Sequence, residues 1–127
     1  TWMCYPETKS VLESLADQNY RLGVVSNFDQ RLFDVLCDLG IDQIFAAIVI
    51  PASAREAKPA PGIFIDAVTQ LEVAPQRALF VGDDPYVDIA GARTAGLEAV
   101  LVDRDRTNPN ASAIGSLSGV LSLLSVP

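Results

Sequence analysis

The feature that most constrains the fold is an alternation. Four short apolar runs, Leu22–Val25, Ala46–Ile50, Ala78–Val81 and Ala99–Val102, are separated by segments whose apolar residues recur at helical spacing. Val11, Leu12 and Leu15 define a helix that opens around Pro6 and Glu7, with Pro in the first turn and an acid near the positive end of the dipole. Asp29 can cap a second helix, whose apolar face is Leu32, Phe33, Val35, Leu36 and Leu39 and which Gly40 ends as a left-handed cap. A third opens near Pro61 and buries Ile63, Phe64, Ala67, Val68 and Leu71; a fourth covers residues 87–95 and stops at Gly96. Residues 52–60 read as a polar loop. Ile114, Leu117, Val120, Leu121 and Leu124 predict a last docked helix in a tail otherwise rich in Ser, Asn and Gly. Strands that alternate with helices predict an α/β fold, a three-layer Rossmann-like parallel sheet with helices on both faces. No repeat or internal boundary divides residues 1–127, which read as one domain.

Composition excludes several functions. Nine Lys and Arg against sixteen Asp and Glu leave a net charge of −7, which argues against a nucleic-acid partner. There is no apolar run long enough to span a membrane, and no signal-peptide pattern is visible at the N-terminus. Cys4 and Cys37 lie far apart and read as buried free thiols of a reducing compartment, so a cytoplasmic location is expected. With two cysteines and no histidine there is no zinc site, and Ser-His-Asp and Cys-His nucleophiles are ruled out. Chemistry falls to carboxylates, Lys, Ser, Asn and a hard metal ion.

In parallel α/β sheets, functional groups collect beyond the carboxyl ends of the strands. Three such ends here carry distinctive groups: Ser26-Asn27, the loop with Lys58, and Asp83 with Asp84 and Asp88. Each has a plainer reading alone. Ser-Asn is a common turn pair, a loop lysine is usually solvated, and Asp84 can simply cap the next helix, worth about 1 kcal/mol. All three in order suit a phosphoryl group and Mg²⁺. Ser26 and the N–H groups after it can donate to phosphate oxygens, Lys58 offers an ammonium, and Asp83 offers a hard oxygen ligand. Asp88 can hold a metal-bound water or orient Lys58. Carboxylates this close repel one another, and a bound cation or a nearby ammonium relieves the repulsion.

These residues resemble the haloacid dehalogenase superfamily. Leu22-Gly23-Val24-Val25-Ser26-Asn27-Phe28-Asp29 is similar to its second motif, Lys58-Pro59-Ala60-Pro61-Gly62-Ile63-Phe64 to its third, and Val81-Gly82-Asp83-Asp84 with Asp88 and Gly91-Ala92 to its fourth. Val102-Asp103-Arg104 and the tail from Ile114 to Leu124 resemble its last strand and helix, so the likeness covers nearly the whole chain. It implies a hydrolase, in most members a Mg²⁺-dependent phosphatase of phosphoric monoesters, acting on a phosphorylated small molecule. By the same likeness Ser26 and Asn27 bind phosphate, Lys58 neutralises nucleophile and phosphate, and Asp83 and Asp88 serve the metal. Asp84 ranks lower, and Arg55 stands where the family commonly has Gly.

The family's first motif is an apolar strand ending in Asp-x-Asp, whose first Asp is the nucleophile. The opening residues Thr1-Trp2-Met3-Cys4-Tyr5-Pro6 instead resemble the point where the cap returns to the core. The expectation is therefore an incomplete core, lacking the central first strand and the cap, and without turnover of its own. A literal Asp103-Arg104-Asp105-Arg106-Thr107 matches the missing motif, but Asp103 already sits where the family's last strand ends. The missing strand would leave two open sheet edges, which either pair directly or recruit another chain, giving a homo-oligomer. Two other functions stay open. One is a non-catalytic interaction module. The other is a receiver-like phosphoacceptor domain, whose order of acidic pair, hydroxyl and Lys differs from the order here.

Overall fold

The computed structural model describes residues 8–103 and 114–124. In chain order the elements are α1 (Thr8–Asp17), β1 (Gly23–Val25), α2 (Arg31–Asp38), β2 (Ala47–Val49), α3 (Pro51–Ala54), α4 (Pro61–Leu71), β3 (Leu79–Gly82), α5 (Gly91–Thr94), β4 (Glu98–Leu101) and α6 (Gly119–Leu123). Short 3₁₀ turns precede β2 and β3, and a π-helical turn, Pro85–Ala90, leads into α5. Each strand follows an apolar run read from the sequence. All pairing between named strands is parallel, as βαβ connections require.

The sheet comes in two halves. β1 pairs with β2, Val24 opposite Ile48, and β3 pairs with β4, Phe80 opposite Ala99. Among the described residues no ladder joins β1 to β3. Side chains nevertheless unite the halves on both faces, because successive residues of a strand point to opposite sides. On one face Val25, Val49, Phe80 and Ala99 pack against Ile63, Phe64, Ala67 and Val68 of α4 and Ala92 of α5. Phe64 and Phe80 meet edge to face with ring centroids 5.0 Å apart. On the other face Leu22, Leu79 and Val81 pack against α1 and α6. Val24 and Ile48 cover the Leu32 and Leu36 stripe of α2. Arg21 ties the start of β1 to the far end of α4, where its guanidinium donates to the Leu71 carbonyl at 2.7 Å. The layered α/β architecture is as expected; its middle is open.

Several local expectations need correction. The loop expected over residues 52–60 begins with the helical turn α3, in which Ser53 Oγ donates to the Ile50 carbonyl at 3.0 Å. Arg55 ends that turn at φ +63°, the left-handed conformation that Gly takes without strain. Asp29 caps less directly than expected: α2 starts after Gln30, and the Asp29 carboxylate accepts the Arg31 N–H at 2.9 Å. The last helix is shorter than residues 114–124, because Ile114 instead forms a parallel bridge beside Val102. Cys37 is exposed, not buried. The buried stripe of α2 runs through Leu32 and Leu36, and Phe33 and Cys37 each fall one residue, about 100°, to its side. Cys4, the helix opening at Pro6 and Glu7, and Asp105 to Thr107 lie outside the described residues.

Candidate active site

The carboxyl ends of β1 and β3 are joined by hydrogen bonds that run through Lys58. After β1 the chain turns at Ser26, whose Oγ accepts the Phe28 N–H at 3.1 Å. The Asn27 amide faces the Lys58 backbone: its Oδ1 accepts the Lys58 N–H at 2.8 Å, and its Nδ2 donates to the Lys58 carbonyl at 3.1 Å. The Lys58–Pro59 peptide bond that follows is cis. The Lys58 side chain then runs inward. Its ammonium donates to Asp88 Oδ1 and lies 5.5 Å from the centre of the Phe80 ring.

Among the described residues Asp88 is the one charged residue that is buried. Oδ1 takes the Lys58 ammonium, while Oδ2 accepts the Asp83 and Asp84 N–H groups, both at 3.2 Å. The π-helical turn makes this possible. The Asp84 carbonyl accepts both the Asp88 N–H and the Ile89 N–H, so the turn is one residue wider than an α-turn and Asp88 folds back over the end of β3. Gly82 clears the space: a Cβ there would lie 2.5 Å from the Asp88 carboxylate. Asp84 caps the turn, its Oδ1 accepting the Tyr86 and Val87 N–H groups at 2.9 and 2.7 Å. Asp83 is exposed, and among the described residues its carboxylate has no hydrogen bond or ion pair of its own.

Ser26 and Asn27 directly follow β1 and Asp83 directly follows β3, whereas Lys58 lies on the loop after α3 and Asp88 within the π-helical turn; Asn27, Lys58, Asp88 and the Asp83 backbone N–H form one continuous network. Ser26 is the neighbour of Asn27 and holds the turn. Two contributors have no role assigned from sequence. Gly82 is signalled by a glycine at a strand end, a mark of close approach. Phe80 reads as plain core from the apolar run that holds it. A shallow open cleft beyond β1, about 400 Å³, is lined by Asp29, Gln30, Arg31 and Ala52. In it Arg31 Nε donates to both Asp29 oxygens, at 2.9 and 3.1 Å, which lowers the Asp29 carboxyl below its usual 3.8.

The donor set for a cation can be read from the same bonds. Among the described residues no three His, Cys, Asp or Glu side chains form a ready cage. Both Asp88 oxygens are engaged, so Asp83 is the rim carboxylate left free. Mg²⁺ commonly takes one or two protein carboxylates and completes its shell with water and substrate oxygens. The set fits such an ion and does not fit an all-protein site.

A parallel α/β core with a hydroxyl, a part-buried ammonium and carboxylates on its carboxyl rim falls in the class of open α/β domains that bind ligands beyond the carboxyl ends of their strands. The comparisons narrow it. The sequence profile described as haloacid dehalogenase-like hydrolase matches residues 2–102. The chain belongs to that family. It is 36 % identical over 101 residues to haloacid dehalogenase-like hydrolase domain-containing protein 3 of Xenopus laevis, covering 80 % of this chain and 41 % of that one. It is 36 % identical over 103 residues to a glyceraldehyde 3-phosphate phosphatase of Methanopyrus kandleri, covering 80 % and 44 %. The crystal structure of a HAD phosphatase from Thermococcus onnurineus superposes with a TM-score of 0.91 at 30 % identity, over 96 % of this chain and 58 % of that one. The chain spans less than half the length of the two relatives matched by sequence. Among the described residues no helix is long and apolar enough to cross a membrane.

Proposed function

We propose that this chain carries the phosphate- and cation-binding rim of a magnesium-dependent phosphoric monoester hydrolase, acting on a small phosphorylated molecule. The observation that carries the reading is the Asn27–Lys58–Asp88–Asp83 network, which brings three separate connections of the chain to one place. Ser26 Oγ–H donates to a phosphoryl oxygen while its lone pair keeps the Phe28 N–H. The Lys58 ammonium, desolvated and oriented by Asp88, supplies positive charge to the same oxygens. Asp83 would hold Mg²⁺ and Asp88 acts through Lys58; the ion, when bound, neutralises phosphate charge. The Methanopyrus relative, a phosphatase of a three-carbon phosphate by its description, supports the substrate class.

The family resemblance implies an aspartate nucleophile for attack on phosphorus. The rim network commits Asp88 to Lys58 and leaves Asp83 for the cation, so we infer that these residues bind phosphate without turning it over by themselves. Titration calorimetry with orthophosphate and MgCl₂ tests the binding half: heat of binding in the wild type, lost in Lys58→Met. An aryl phosphate tests the other half. Hydrolysis above background that Asp103→Asn abolishes would overturn the reading, and so would phosphate binding that ignores Lys58→Met.

The open middle of the sheet favours a second activity for the same chain, as an interaction module. β1 and β3 each leave one edge without a ladder partner among the described residues, and unpaired edges recruit strands. A strand from a second copy, entering between them, makes one continuous sheet and a homo-oligomer. Sedimentation is then concentration-dependent, and amides of Leu22–Val25 and Leu79–Gly82 gain exchange protection on association. A strict monomer with those amides unprotected at every concentration would exclude it.

A further inference from the structure

The Asn27 side chain is spent before any phosphate arrives. Both ends of its amide are bonded to the Lys58 backbone, across 31 residues of sequence, in complementary directions. The Lys58 ammonium is bonded to Asp88, across 30 residues, on the other half of the sheet. Lys58 is therefore held at its backbone by the β1 end and at its charge by the β3 end. The loop that carries it follows Arg55, whose left-handed backbone ends the α3 turn. Pro59 anchors the loop from the other side, since Gly91 approaches so closely that a Cβ there would lie 3.0 Å from Pro59 Cα.

We propose that Asn27 is a positioning residue for Lys58: its amide clamps the Lys58 peptide groups, and the clamp fixes where the ammonium meets Asp88 and an incoming phosphoryl oxygen. It does not bind phosphate through its own side chain. A hydroxyl or an aliphatic residue at this position cannot make both bonds, since the clamp needs one acceptor and one donor on a planar group. The assignment rests on the reading of Lys58 as the phosphate-neutralising ammonium. The clamp itself can be tested without that reading.

The chain has two lysines, Lys58 and the exposed Lys9, so acylation of Lys58 can be measured against an internal reference. Limited treatment with acetic anhydride followed by mass spectrometry gives the ratio of Lys58 to Lys9 labelling. In Asn27→Ala the ratio rises about fivefold, the population change that follows from losing about 1 kcal/mol of hydrogen bonding. Asn27→Asp keeps the shape and the acceptor for the Lys58 N–H but loses the donor, and gives an intermediate ratio. Circular dichroism accompanies both variants; if Asn27→Ala unfolds, Asn27→Asp decides. A ratio unchanged in a folded variant overturns the clamp, whatever the calorimetry of phosphate shows. A raised ratio in a protein whose wild type binds no phosphate keeps the clamp and removes its purpose.

Discussion

Two ion pairs lie beyond the carboxyl ends of the strands, and they differ in reach and in burial. Asp29–Arg31 is local, two residues apart, with side chains 60 % and 75 % exposed. Lys58–Asp88 spans 30 residues, with side chains 13 % and 7 % exposed. The first organises a turn: Arg31 spreads over the Phe28 ring, 5.2 Å from its centre, and holds the carboxylate that receives its own N–H. Water competes for both partners, so little stability depends on it. The second closes the molecule. It joins the β1–β2 half to the β3–β4 half where, among the described residues, no backbone ladder does, and each Asp88 oxygen is satisfied. A charge buried in this way is costly unless paired, so the pair is worth far more intact than broken.

The largest expected effect follows from that asymmetry. Lys58→Met leaves Asp88 buried without its counter-charge, and urea denaturation should show a loss of about 3–5 kcal/mol. Adding Asp88→Asn, which keeps an acceptor for the Asp83 and Asp84 N–H groups without a charge, should recover about half of it. A loss no larger than that of Arg31→Ala would erase the distinction between the pairs.

Next comes Gly82→Ala. A Cβ 2.5 Å from the Asp88 carboxylate must push it off the Lys58 ammonium or shift β3, at a cost of about 1–3 kcal/mol by the same denaturation measurement. Asn27→Ala ranks below, at about 1 kcal/mol, because two hydrogen bonds are lost at an exposed position where water can replace them.

The smallest effect belongs to Asp29→Asn, which should leave the urea midpoint at neutral pH unchanged within error. Its pH dependence has a defined sign. Arg31 lowers the folded-state carboxyl below its usual 3.8, so any contribution is full above that value and is lost as the pH falls through the lower folded value. Wild type and variant, already within error of each other at neutral pH, should therefore not diverge in acid or with added salt.

Much of this comparison was legible in the sequence, and the residues explain which part was not. The strands announced themselves as apolar runs, and Ser26 and Asp83 directly follow two of them, with Lys58 on the connection after a third, because parallel sheets gather function at that side. Lys58 was one of the two partners the residues suggested for Asp88, the other being a metal-bound water. The partner of Asn27 was not legible: its contacts cross 31 residues, and no spacing rule encodes a bond from a side-chain amide to a distant peptide group. Residues 87–95 read as a regular helix because periodicity does not see the extra residue of a π-helical turn. That residue is stabilised by the Asp88 carboxylate folding back, which is a tertiary event. Cys37 was misplaced by one position on a helix face, a small error in angle that reverses burial.

The central claim is that Ser26, Lys58 and Asp83 act on one phosphate and one divalent cation. Amide chemical shifts of the ¹⁵N-labelled chain, followed while orthophosphate and then MgCl₂ are added, test it most directly. The account predicts saturable shifts concentrated at residues 26–28, 58 and 83–84, absent in Lys58→Met. Shifts scattered over the surface, or confined to the Asp29–Arg31 cleft with residues 58 and 83 unmoved, would contradict it.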